Sequence, residues 1–134
     1  MITFDEVGAL LDDIADELPE GIYRELNGGI MLLPDTIYDP ESDDRDPLYI
    51  LGEYHEDPYG LGRYIAIYYG SFIKVYGHED REMQKEMLQE LLYHELLHHL
   101  ESLAGEQGLE LQDAVEFAEY KEQLKKFDNQ REKP

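Results

Sequence analysis

Cysteine is absent from the 134 residues. Disulfides, thiolate metal sites and a cysteine nucleophile are therefore excluded, and the composition suits a reducing cytoplasm. Basic residues are scarce: 11 Lys and Arg stand against 32 Asp and Glu, a formal net charge of −21 at pH 7. That field repels a phosphate backbone and an anionic lipid surface, so neither nucleic acid nor membrane is an expected partner. No apolar run approaches the length of a membrane span, and Met1 to Glu6 (MITFDE) lacks the basic and apolar segments of a secretory leader. The expected location is cytoplasmic. What is present is core material: 42% apolar residues, with 11 Tyr and 4 Phe, more than a disordered acidic chain carries. The length suits one domain, expected over 1–127, with a frayed tail over 128–134.

Phe4, Val7, Leu11, Ile14 and Leu18 recur at steps of three and four, which predicts an amphipathic first helix. Thr3 followed by Glu6 reads as a capping box, and Pro19 with Gly21 ends the helix. Strands are expected at Ile30–Leu33, Leu48–Tyr54 and Arg63–Tyr69, the last two joined as a hairpin through turn residues His55 to Gly62. Residues 35–47 are acidic and hold two prolines, the composition of an exposed loop. Gly70 to Gly77 suits a strand or a helical turn equally. From about Glu79 to Ala104 there is no Pro or Gly, which predicts a long helix. A break at Gly105 and Gly108 precedes a final helix, with Leu111, Val115, Ala118, Leu124 and Phe127 expected to face inward. The order predicts an α+β domain with a small, mainly antiparallel sheet.

The informative segment is Leu91 to Leu100 (LLYHELLHHL). It holds His94-Glu95-Leu96-Leu97-His98, an HExxH match on a predicted helix. Residues four apart share a helical face, so two imidazoles can reach one Zn²⁺ at about 2.0–2.1 Å. Glu95 then lies beside the ion, placed to take a proton from water and deliver it to a leaving amine. A motif this short also arises by chance. Here, however, Leu91, Leu92, Leu96, Leu97, Leu100 and Leu103 surround it, and polar groups in so apolar a helix need partners, which a metal supplies. His99 points away from the ligand face and reads as a surface or supporting histidine. His55 and His78 fall in predicted turns and receive no role.

At this segment the chain resembles the small bacterial zincin-like metallopeptidases, the minimal metalloprotease-like or Zincin_1 domains. The resemblance extends over most of the chain: the acidic first helix, Glu25 to Ile30 (ELNGGI), the tyrosine-rich Arg63–Tyr69 strand, Gly70 to Phe72, and the doubled His98-His99. It implies a compact zincin fold with the HExxH helix packed under the sheet and a hydrolytic zinc. Many relatives continue as HExxHxxGxxD. In this chain Glu101 and Ala104 occupy the positions of that Gly and Asp, and four acids compete as the third ligand. Glu101 shares the face of His94 and His98, though seven residues of helix is a long reach. Glu110 follows the break. Asp113 stands where the family's acidic residue falls if the loop is longer, and Glu116 would face back across a helical hairpin. Against these stand a capping role for Asp113 with Glu116 and plain solvation for Glu101 and Glu110. Asp113 is the ligand expected.

Tyr68, Tyr69, Tyr76, Tyr93 and Tyr120 are candidates to stabilise an oxyanion. The leading expectation is a small zinc-dependent peptidase, a hydrolase with Glu95 as general base. An extended peptide would add to the sheet edge above the HExxH helix, and the −21 charge favours basic peptides or proteins as substrates. A second reading is a non-catalytic binding or regulatory module that keeps a structural metal at His94 and His98. A third is an acidic adaptor whose histidines belong to the core.

Overall fold

The computed structural model describes residues 1–105 and 118–124. Helix α1 spans Phe4–Asp16, opened by the expected capping box: Thr3 Oγ1 accepts from the Glu6 amide and the Glu6 carboxylate accepts from the Thr3 amide. Its inward stripe is Val7, Leu11 and Ile14, while Phe4 is 37% exposed. The helix stops at Asp16, and Pro19 leads into a 3₁₀ turn, Glu20–Tyr23. Pro lacks the amide that would continue the ladder.

Among the described residues five strands follow: β1 Gly29–Leu33, β2 Ile37–Tyr38, β3 Tyr49–Ile50, β4 Gly52–Asp57 and β5 Gly62–Tyr68. The main sheet has the order β1-β5-β4, with β1 parallel and β4 antiparallel to the central β5. A separate antiparallel pair joins β2 to β3. The architecture is α+β with a small, mostly antiparallel sheet, as the composition of its segments predicts. Three local expectations are corrected. The segment 35–47 is not wholly loop, because Ile37 is gripped at both its amide and its carbonyl by the buried hydroxyl of Ser71, which fixes β2. The hairpin turn begins later than expected, so His55 lies within β4; Asp57 accepts from the Tyr59 and Leu61 amides and closes the turn there. The expected strand from Leu48 is interrupted at Leu51 and continues to Asp57.

Helix α2, Tyr69–Tyr76, follows β5 directly and resolves the ambiguous segment as helix. A Cβ at Gly70 would collide with Thr36 and the Asp35 carbonyl, so glycine permits this close junction. Helix α3, Arg81–Ala104, is capped by Asp80, which accepts from the Met83 amide. Its buried row Leu88, Leu92, Leu96, Leu100 and Leu103 packs with Ile65 and Ile67 of β5, Phe72 of α2 and the α1 stripe into one core. Residues 118–124 are helical; Leu124 joins the core, whereas Ala118 is exposed instead of facing inward. Leu111, Val115, Phe127 and the expected tail 128–134 lie outside the described residues.

Candidate active site

Edge strand β4 and helix α3 run side by side in the same direction. Three cross-links establish the register. A Cβ on Gly52 would stand 3.1 Å from a Leu91 methyl; the Tyr54 hydroxyl meets His99; and the Ser102 hydroxyl donates to the Glu56 carboxylate. Glycine at position 52 is what lets the helix approach the strand so closely. Between them lies an open cleft of about 640 Å³, with His94, Glu95 and His98 on the helix wall and Gly52, Glu53 and Tyr54 on the strand wall.

His94 and His98 are exposed to this cleft, and their Nε2 atoms face each other at 3.1 Å. Two nitrogens bound at about 2.0–2.1 Å to one tetrahedral ion stand roughly 3.3–3.4 Å apart. The pair therefore fits two adjacent positions of a zinc ion. Among the described residues no group of three or more His, Asp or Glu side chains is arranged to hold a metal. Glu101 faces the far side of the His98 ring, 4.0 Å from Nδ1, and also lies 3.9 Å from Lys121. That placement suits orienting the imidazole more than ligating the ion. Asp113, Glu110 and Glu116 lie outside the described residues.

Glu95 is 5% exposed. Burial raises its carboxyl above the usual carboxylate range, His94 works against that shift, and Glu53 reinforces it. A carboxylate with increased proton affinity beside two exposed imidazoles has the character of a general base.

His99 is not a surface residue and does not line the cleft with His94 and His98. It is wholly buried. Its Nε2 lies 2.8 Å from the Arg24 carbonyl, which can only accept, so Nε2 carries the hydrogen. Nδ1 is then the acceptor for the Tyr54 hydroxyl at 2.9 Å. Burial lowers the affinity of this imidazole for a second proton. The ring is a neutral strut between β4, α3 and the turn at Arg24.

Of the tyrosines proposed for an oxyanion, Tyr68 donates to Glu53 and Tyr69 to the Ile2 carbonyl, both committed elsewhere. Tyr93 is buried, and Tyr120 packs against Gly21. Tyr76 shares a neighbouring hollow with His94. Tyr54, which lines the cleft, escapes a reading of tyrosine content. The available signal is the two-residue period Gly52, Tyr54, Glu56 on one strand face.

Among the described residues no strand pairs with the outer side of β4. The Tyr68 amide bonds the Leu51 carbonyl, which with the β4–β5 register makes Glu53, His55 and Asp57 the residues bonded to β5. Gly52, Tyr54 and Glu56 consequently turn their amide and carbonyl groups outward along the cleft.

No family profile and no curated protein matches the chain. Among solved structures, one described as a conserved hypothetical protein from Thermo thermophilus is 35% identical with a TM-score of 0.64. The match covers 77% of this chain and 98% of that one.

Proposed function

We propose that this chain, which belongs to the family of the conserved hypothetical protein from Thermo thermophilus, is a zinc-dependent peptidase. One observation carries the reading: the two Nε2 atoms of His94 and His98 stand 3.1 Å apart in an open cleft, beside the buried Glu95 carboxylate. His94 and His98 hold the ion, with Asp113 proposed as the third ligand. Zinc supplies Lewis acidity toward a peptide carbonyl and toward water.

The remaining steps belong to the protein. An extended peptide pairs with the outward groups of Gly52, Tyr54 and Glu56, which aligns its backbone along the helix wall. Glu95 accepts one proton from water as the water oxygen bonds to the carbonyl carbon. It passes that proton to the amide nitrogen as the carbon–nitrogen bond breaks, leaving a carboxylic acid and an amine; the acid's remaining proton then passes to the amine, giving a carboxylate and an ammonium group. No described helix is long and apolar enough to cross a membrane, and the lack of cysteine suits action in the cytoplasm.

A purely structural zinc requires four protein ligands and a closed site. Among the described residues the cleft is open, which favours the catalytic reading. Glu95→Gln tests it: zinc content and fold are retained, while hydrolysis of a mixed peptide library falls by about 10²–10⁴-fold. Cleavage by the wild type that survives Glu95→Gln at full zinc occupancy refutes the proposal.

A further inference from the structure

Beside the cleft, on the N-terminal side of His94, lies a second hollow of about 210 Å³. Leu51, Tyr76, Met87 and Leu91 supply its apolar wall; Glu90 and His94 are its polar members. At that volume it is smaller than the roughly 300–1,000 Å³ of a small-molecule site. It suits a single side chain. His94 lines both the hollow and the cleft, so whatever enters the hollow sits next to the imidazole pair.

The two spaces differ in chemistry. Because β4 and α3 run in the same direction, the site has an apolar end at Leu51 and Leu91 and an acidic end at Glu56 and Glu101, with His94, Glu95 and His98 between them. Two described cations near the acidic end already have partners there. Lys121 lies 3.9 Å from Glu101, and Arg63 Nε donates to Ser102. The Lys121 contact is long and partly solvated, the kind of pair that contributes little and yields to a competitor.

Strand pairing sets a direction. An antiparallel partner bonds slightly better than a parallel one. Such a peptide enters over Glu56 and leaves over Gly52, so its N-terminal part meets the acids and its C-terminal part meets the hollow. We infer that the hollow receives an apolar side chain (Leu, Met or Phe) from the residue following the scissile bond, and that Glu56 and Glu101 select an Arg or Lys preceding it. This substrate class rests on the peptidase reading of the site.

The test separates the two. Three blocked hexapeptides are titrated calorimetrically against the zinc-supplemented Glu95→Gln protein. One has Arg before and Leu after its central bond, the second has Asp in place of Leu, and the third exchanges Arg and Leu. The first binds about tenfold or more tightly than either of the others. Met87→Glu, with an unchanged circular dichroism spectrum, abolishes the preference for Leu over Asp. The peptide arms need no pocket variant, so misfolding of Met87→Glu leaves the test intact. Equal binding of the Asp or the exchanged peptide overturns the inference. In parallel, wild-type cleavage sites in a peptide library are mapped by mass spectrometry. Selective binding without cleavage refutes the peptidase and keeps the pocket; unselective cleavage does the reverse. Neither binding nor cleavage overturns both.

Discussion

The Tyr54 hydroxyl donates to Nδ1 of His99 across 2.9 Å, joining the sheet's edge strand to the helix that carries the HExxH residues. The same imidazole reaches the Arg24 carbonyl on its other side. Strand β4 is therefore held in register with α3 by a bond that touches neither His94 nor His98. Tyr54→Phe removes the donor and leaves a buried nitrogen without its partner, at a cost of about 1–3 kcal/mol. His99→Ala costs more, because it adds a cavity and strands the Arg24 carbonyl. Urea unfolding measures both, and a Tyr54→Phe loss within about 0.5 kcal/mol of zero contradicts the strut role.

The facing Nε2 atoms of His94 and His98 carry the metal prediction. Elemental analysis after dialysis against zinc finds about one ion per chain in the wild type, and far less in His94→Ala and His98→Ala. Binding to the folded state alone also raises the unfolding temperature as zinc is added. Neither side chain belongs to the core, so the variants keep their fold. Equal zinc in all three proteins refutes the pair as ligands.

Tyr23 governs an alkaline response. Its hydroxyl donates to the Ala15 carbonyl, and burial, with Tyr93 and Asp16 nearby, pushes its ionisation from 10.0 up to about 12. The folded state keeps the proton that the unfolded chain releases above pH 10. The stabilisation is thus complete below that pH and is lost as pH climbs toward 12. Tyr54, Tyr68 and Tyr93 shift in the same direction, so Tyr23→Phe reduces the slope of stability against pH without abolishing it. Chemical denaturation at intervals from pH 9 to 12 measures the slope, and an unchanged slope in Tyr23→Phe contradicts the assignment.

Local signals in the sequence carried far. Thr3 with Glu6 placed the start of α1, and the three-and-four spacing of Val7, Leu11 and Ile14 placed its buried face, because both depend on helix geometry alone. The i, i+4 spacing of His94 and His98 placed them on one helical face for the same reason. What escaped the sequence depends on partners distant in the chain. The grip of Ser71 on Ile37 spans 34 residues and turns an acidic loop into a strand pair. The links from His99 to Tyr54 and Arg24 span 45 and 75, and nothing near His99 distinguishes a buried strut from a surface histidine. Parallel pairing of β1 with β5 is likewise a matter of topology, not of strand composition.

The third ligand is the remaining element of the metal proposal. Glu101 is available on α3, yet it lies on the Nδ1 side of His98 and beside Lys121, away from the nitrogen that faces His94. An acid from beyond Gly105 is the alternative, and the resemblance in the HExxH segment favours Asp113. Asn and Asp cap helices about equally well, but a neutral amide is a weaker zinc donor than a carboxylate. Asp113→Asn therefore separates the roles: a ligand loses zinc affinity by about 10–100-fold or more, whereas a cap changes little. Glu101→Gln, Glu110→Gln and Glu116→Gln run alongside in competitive titrations with a chromogenic chelator. Glu101→Gln is expected to weaken binding less than Asp113→Asn, through the orientation of His98 alone. If Asp113→Asn binds zinc as the wild type does and one Gln variant does not, the third ligand is that glutamate.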